Sequence, residues 1–85
     1  MFKYADGSEI LIGDNVLLNN GKTPGIVDLV VNTPAEANDF KVAEIGVMVK
    51  AATARLVYLT QKGLKEDPLR FVSRGKRKPL FKQNS

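Results

Sequence analysis

The sequence predicts a small all-β fold, a barrel of five or six short strands with one short helical turn. Two observations support this class. Short runs rich in Val, Ile and Leu recur along the chain, and clusters of Gly, Asn, Asp and Pro separate them, as is typical of strands joined by turns. The chain has 85 residues, enough for one domain with one small core. We expect that domain to occupy residues 1–73, followed by a flexible basic tail at 74–85.

The central strand pair is predicted between Ile12 and Val31. Its first strand contains Val16-Leu17-Leu18, its second runs from Ile26 to Val31, and a polar loop, 19–24, joins them. Side chains alternate between the two faces of a strand. Because Asp28 favours water, we expect Val27, Leu29 and Val31 to face the core.

Further strands are predicted on both sides of this pair. Asp6-Gly7 is typical of a type I′ hairpin turn. Later strands are expected at 44–50, at 55–59 (a central strand, since both of its faces are apolar) and at 69–74, and Gly46 is expected where a neighbouring strand approaches closely. The predicted core consists of Val16, Val27, Leu29, Ile45, Val47, Val49, Tyr58 and Phe71, with Leu69 also inward.

One helical turn is predicted after the second central strand. Thr33-Pro34-Ala35-Glu36 combines a capping Thr, a Pro at the first helical position and a Glu at the third, which is the pattern of a capping box. The helix should run from Pro34 to about Phe40. Phe40 is its expected apolar anchor.

The charge is unevenly distributed. The whole chain has a formal net charge of +4, but Arg74, Lys76, Arg77, Lys78 and Lys82 lie in the last twelve residues, without an acidic residue among them. Residues 1–73 are therefore close to neutral. The tail lacks periodicity, which predicts mobility. Its cations could contact nucleic-acid phosphates, bind an acidic protein or serve only for solubility, and the apolar pair Leu80-Phe81 indicates docking onto a partner or back onto the domain.

The composition argues against common catalytic chemistry. The chain contains neither Cys nor His, so a nucleophile–His pair and the usual soft metal sites are not expected. Asp14 follows Gly13 in a predicted turn, where Asp commonly bonds nearby backbone. Glu66-Asp67 precede a Pro and are expected to be solvated. We therefore predict a non-enzyme without cofactor or metal. Lacking a long apolar run, the chain is expected to be cytoplasmic, without a membrane partner.

Two resemblances extend these expectations. Gly13-Asp14-x-Val16 followed by Gly25-Ile26-Val27-x-x-Val30 resembles the strand pair of the KOW family, small SH3-like barrels of ribosomal and transcription proteins. That resemblance implies an SH3-like barrel that binds nucleic acid.

The second resemblance covers most of the chain. Tyr4-Ala5-Asp6-Gly7, Ile12-Gly13-Asp14-x-Val16, Gly25-Ile26-Val27, Gly46-Val47-Met48-Val49, Leu56-Val57-Tyr58 and Glu66-Asp67-Pro68-Leu69 resemble motifs of small bacterial immunity proteins encoded beside polymorphic or type VI secreted toxins. It implies a protein that binds and neutralises one cognate toxin.

Toxin neutralisation is the leading prediction, and KOW-like nucleic-acid binding is the alternative. A third possibility is an adaptor that pairs a sheet edge with a partner. The candidate partner-binding residues are exposed loop residues and the tail cations, namely Asn19, Asn20, Lys22, Thr23, Glu36, Asp39 and Phe40, with Arg74, Lys76, Arg77 and Lys78 as tail contacts.

Overall fold

A computed structural model describes residues 2–75. The chain forms β1 (Asn15–Leu18), β2 (Thr23–Val31), α1 (Pro34–Asp39), β3 (Gly46–Ala51), β4 (Leu56–Thr60), α2 (Gln61–Glu66) and β5 (Arg70–Ser73). The strands make one antiparallel sheet in the order β4-β3-β2-β1-β5. The fold is thus a small domain dominated by a five-stranded sheet with two short helices. In the described residues, strand pairing does not join β4 to β5, so the sheet is not closed.

The position of β4 corrects one prediction. Apolar residues on both of its faces suggested a central strand, but β4 lies at an edge and pairs with β3. Gly46 of β3 confirms the predicted close approach, because a Cβ there would come within 2.9 Å of the Tyr58 ring on β4.

The core lies on one face of this sheet, here called the inner face. Val16, Val27, Val47 and Val49 are fully buried, as predicted. The core also takes up residues outside the strands, and the cluster consists of Phe2, Tyr4, Ile10, Val16, Leu18, Val27, Val47, Val49, Ala51 and Leu69. Ile45 packs against it while only partly buried.

A β-bulge at Asp28 changes which β2 residues face the core. Val27 pairs with Val49, but Leu29 pairs with Met48 and Val30 with Val47. Asp28 is therefore an extra residue that reverses the alternation along the strand. Val30 packs against the core cluster, whereas Leu29 shares the other face with Met48. The prediction that Leu29 faces this core is wrong for that reason.

The N-terminal hairpin is present with a different turn. The Gly7 amide donates to the Tyr4 carbonyl at 2.9 Å, the Tyr4 amide donates to Ser8 at 2.8 Å, and Gly7 is left-handed at φ +92°. This is a three-residue loop closed by a left-handed glycine. It replaces the predicted type I′ turn, which would also need a left-handed Asp6.

The first helix confirms the predicted capping box. The Thr33 side chain accepts from the Glu36 amide, the Glu36 carboxylate accepts from the Thr33 amide, and Pro34 begins the helix. Its buried residue is Ala37, whereas Phe40 is 51% exposed. Phe40 is therefore not the apolar anchor that the sequence predicted.

A second helix, α2, is present, although the sequence predicts only one helical turn in the whole domain. Thr60 caps it, with its side chain accepting from the Gly63 amide at 3.3 Å.

Tyr58 was predicted in the core but is only half-buried. Its hydroxyl donates to the Glu44 carbonyl, which gives this outer-face side chain a structural contact of its own.

The last strand is exposed along its length. Leu69, just before it, is buried as predicted, but Phe71 is 41% exposed. Phe71 covers Tyr4 in an edge-to-face contact with ring centroids 5.2 Å apart. Of the predicted tail, Arg74 and Gly75 are described, while residues 76–85 lie outside the described range.

Candidate functional site

A buried carboxylate ties both ends of the described chain together. Asp14 has no exposed surface, and its Oδ2 accepts hydrogen bonds from the Tyr4 hydroxyl at 2.6 Å and the Leu11 amide at 3.0 Å. Arg74 Nη1 lies 3.2 Å from Oδ2 and 3.1 Å from Oδ1. Because Oδ1 accepts no hydrogen bond from the described residues, its interaction with Arg74 is ionic.

The electrostatics of this cluster suit a structural role. Burial first, and then the hydrogen bond to Asp14, raise the pKa of Tyr4, so its hydroxyl keeps its proton. The Arg74 guanidinium also lies 5.2 Å from the centre of the Phe71 ring. The predicted bond from Asp14 to its own turn is present, since it accepts from Leu11. The cluster is best described as an anchor that joins the N-terminal hairpin, β1 and the end of β5.

The β1–β2 loop is the first of the two predicted partner-binding segments. Asn19, Asn20 and Gly21 have left-handed φ values of 56°, 58° and 82°. The Asp67 carboxylate accepts from the Asn19 and Asn20 amides, both at 2.9 Å. Asp67 was predicted to be a solvated turn residue, but it fixes this loop. Asn19, Asn20 and Lys22 are exposed, and Thr23 is half-buried at the start of β2.

The second predicted segment lies at the other end of β2. Glu36 is committed to the capping box, where its carboxylate accepts from the Asn32 amide at 2.8 Å, while Asp39 and Phe40 are exposed. A nine-residue β2 separates this segment from the β1–β2 loop by about 26 Å at the rise of a strand. The two segments therefore do not form one compact site.

The outer face of the sheet was not among the candidate residues. Here the term means the side opposite the core cluster, and Leu56, Val72 and Ile26 are its most exposed apolar side chains, at 61%, 54% and 51%. Lys50 pairs with both Ile26 and Leu56 across three strands. A shallow, largely apolar groove of about 520 Å³ runs beside Ile26 and Val72.

A sequence signal for the outer face did exist. Ile26 was assigned to the face of β2 opposite Val27, and 55–59 had apolar residues on both faces. The strand order was needed to show that these residues lie in one row. Lys50 lies between Ile26 and Leu56 in that row, so the exposed apolar side chains form a mixed surface rather than one continuous apolar patch.

The remaining geometry adds little chemistry. Residues 2–75 contain no group of three or more His, Cys, Asp or Glu side chains that could hold a metal ion. Over the same range, neither helix is long and apolar enough to cross a bilayer. The candidate tail contacts Lys76, Arg77 and Lys78 lie outside the described residues, whereas Arg74 is engaged by Asp14.

Comparison with known proteins adds no identity: neither a family model nor a curated protein nor a solved structure matches this chain. The immunity-like and KOW-like resemblances therefore stay predictions that depend on the motif residues alone.

Proposed function

We propose that this protein is a non-catalytic binding protein, an immunity protein that neutralises a cognate bacterial toxin by protein–protein contact. The observation that carries the proposal is the row of exposed apolar residues on the outer face, formed by Leu56, Ile26 and Val72. Burial of apolar surface contributes about 25 cal/mol per Å². Aliphatic side chains that the fold leaves exposed are thus available to stabilise a complex.

We also propose the SH3-like barrel as the architecture behind this surface. Leu18 of β1 and Leu59 of β4, three strands apart in the sheet order, line the same hollow. A strongly curved sheet would bring such distant strands together. Curvature of that kind turns the outer face into a convex surface, suited to enter a cleft on a partner.

The predicted β1–β2 loop, which Asp67 holds at the end of the sheet, offers a further contact for the partner. Asn19 and Asn20 are exposed, and their backbone is already fixed by Asp67, so little conformational entropy would be lost when a partner binds. Phe40, by contrast, is exposed at the far end of β2, outside the proposed contact surface.

The test is association with a protein encoded beside this one, measured by calorimetry on the purified pair. Ile26→Asp and Leu56→Asp are expected to weaken binding at least tenfold, because each introduces a charge into an apolar contact. Phe40→Asp is the matched comparison, since Phe40 and Ile26 are both 51% exposed. It is expected to keep binding within about threefold of the unmodified protein.

The outcomes separate function from contact face. If the unmodified protein neither binds that neighbour nor blocks its toxic activity, the immunity proposal is wrong. If the neighbour binds all three variants equally, or if binding is lost only in Phe40→Asp, the proposed function stands. The outer face is then not the contact surface.

KOW-like nucleic-acid binding has one observation in its favour. The Arg70 guanidinium lies beside Gly21, at 3.2 Å from where a Cβ would stand, so the β1–β2 loop has a second cation near Lys22. Asp67 offsets part of this charge. Nucleic-acid binding should weaken steeply with added salt and should fall in the double variant Lys22→Gln/Arg70→Gln. Tight binding of a defined RNA at physiological salt, lost in that double variant, would replace the immunity proposal.

A further inference from the structure

The groove next to Gly75 is a second exposed surface, distinct from the outer face, and its lining is partly polar and partly apolar. It has a volume of about 460 Å³ and is lined by Glu9, Ile10, Leu11, Ile12, Val30, Asn32, Arg74 and Gly75. Leu11 and Ile12 are 41% and 40% exposed. These two residues lie in the tight turn that the Asp14 amide closes on the Leu11 carbonyl at 3.1 Å.

The last described residues bring the chain to this groove. Ser73 pairs with Asn15, Arg74 contacts Asp14, and Gly75 is pressed against Gly13, where a Cβ would come within 2.0 Å of the carbonyl oxygen. Residues 73, 74 and 75 therefore lie beside residues 15, 14 and 13, and this path directs the chain towards Ile12. The close approach at Gly13 leaves room only for glycine at position 75.

We propose that the C-terminal segment, residues 76–85, binds across this groove, with Leu80 and Phe81 covering Leu11, Ile12 and Val30. The reach is sufficient, because five residues beyond Gly75 span up to about 17 Å when extended. Leu80 and Phe81 follow Gly75 by five and six residues in the sequence, and binding of these side chains to Leu11 and Ile12 would remove apolar surface from water.

The charges of the segment and the groove are complementary. Lys76, Arg77 and Lys78 precede the apolar pair, and Glu9 is exposed at the groove. Glu36 lies close by, since its carboxylate accepts from the Asn32 amide. Arg74 is the one cation in the lining, and Asp14 already neutralises it. A basic segment would therefore meet a surface with an acidic edge. This inference is independent of the proposed toxin-binding function.

A spin label on the full-length chain tests the proposal directly. The sequence has no cysteine, so Ser85→Cys provides a single labelling site. We expect the label to broaden the methyl resonances of Leu11, Ile12 and Val30 more strongly than those of Ile26 and Leu56. The broadening should be unchanged on tenfold dilution, because the contact is within one molecule.

Two matched double variants give the control. Leu80→Asp/Phe81→Asp should abolish the selective broadening, whereas Gln83→Asp/Asn84→Asp adds the same charge further along and should largely retain it. Equal broadening on both faces, or none, would overturn the proposal. Loss of the effect on dilution would assign the groove to a second copy, and stronger broadening of Ile26 and Leu56 than of the groove residues would assign the segment to the outer face. Either result would also overturn it.

Discussion

The two faces of the sheet use the same strands for opposite purposes. On the inner face, the strand residues are mostly valines, packed without exposed surface around Val16, Val27, Val47 and Val49. On the outer face, larger side chains such as Ile26 and Leu56 stand in solvent between polar neighbours. Since neighbouring residues of a strand point to opposite sides, adjacent positions differ sharply in what they contribute. The inner face determines stability, whereas Ile26 and Leu56 on the outer face remain exposed to solvent.

The largest effect is expected at the centre of the inner face. Val47→Asp places an unpaired charge where no water reaches, and we expect a loss of about 5 kcal/mol or more, comparable with the whole stability of a small domain. The variant should be unfolded at 25 °C by circular dichroism. Met48→Asp, one residue along and on the outer face, should remain folded. An unfolded Met48→Asp would contradict the division between the faces.

The second effect concerns the anchor at the edge of the inner face. Arg74→Ala leaves the buried Asp14 carboxylate without its ion-pair partner, which costs about 3–5 kcal/mol for a fully buried pair. Arg74 is 46% exposed, so we expect about 2 kcal/mol because solvent screens the interaction. Urea denaturation measures this loss, and Arg55→Ala, at an exposed arginine, is the control. In an Asp14→Asn background the same substitution should cost much less; an undiminished cost would show that the ion pair is not responsible.

A third, smaller effect should appear only at alkaline pH. Burial and the hydrogen bond to Asp14 raise the pKa of Tyr4 above its ordinary value, which is about 10. The folded state therefore holds this proton more tightly than the unfolded chain. The resulting stability is fully present below pH about 10 and declines as pH rises from there towards the folded pKa.

Comparison with Tyr4→Phe isolates this contribution. The unmodified protein should lose more stability between about pH 10 and 12 than the variant, since Tyr58, whose pKa is also raised, and the lysines titrate in both proteins. Denaturation midpoints measured across this range provide the test. Parallel pH profiles would contradict the assignment to Tyr4.

The sequence was most informative where the signal was local. The capping box at Thr33 and Glu36 depends on four consecutive residues, and the structure confirms it. The valines of β3 follow simple alternation and are buried as predicted. The Asp28 bulge, however, depends on how β2 pairs with β3, so alternation alone put Leu29 rather than Val30 in the core.

Long-range contacts explain the other differences. Asp14 and Arg74 are 60 residues apart, and only the pairing of β1 with β5 brings them together, so the sequence placed Arg74 in a tail. Helix α2 has a Thr cap but neither an acidic residue in its first turn nor helix-favouring residues throughout, because Gly63 interrupts it. The outer face depends on the order of the strands, which no single stretch of sequence encodes.

The smallest effect is expected on the outer face, and it sharpens the comparison most. Ile26→Thr keeps the β-branched shape that a strand favours and replaces the ethyl branch by a hydroxyl on a side chain that is already 51% exposed. We expect the free energy of unfolding to change by less than about 0.5 kcal/mol, as for other surface substitutions. Val27, the next residue of β2, is 1% exposed. Val27→Thr should lower the free energy of unfolding by about 1–3 kcal/mol because the new hydroxyl would be buried without a hydrogen-bond partner. Urea denaturation of both variants measures the two losses in the free energy of unfolding, which can then be compared. Equal losses would mean that the outer face is also packed in solution and is not free to bind a partner.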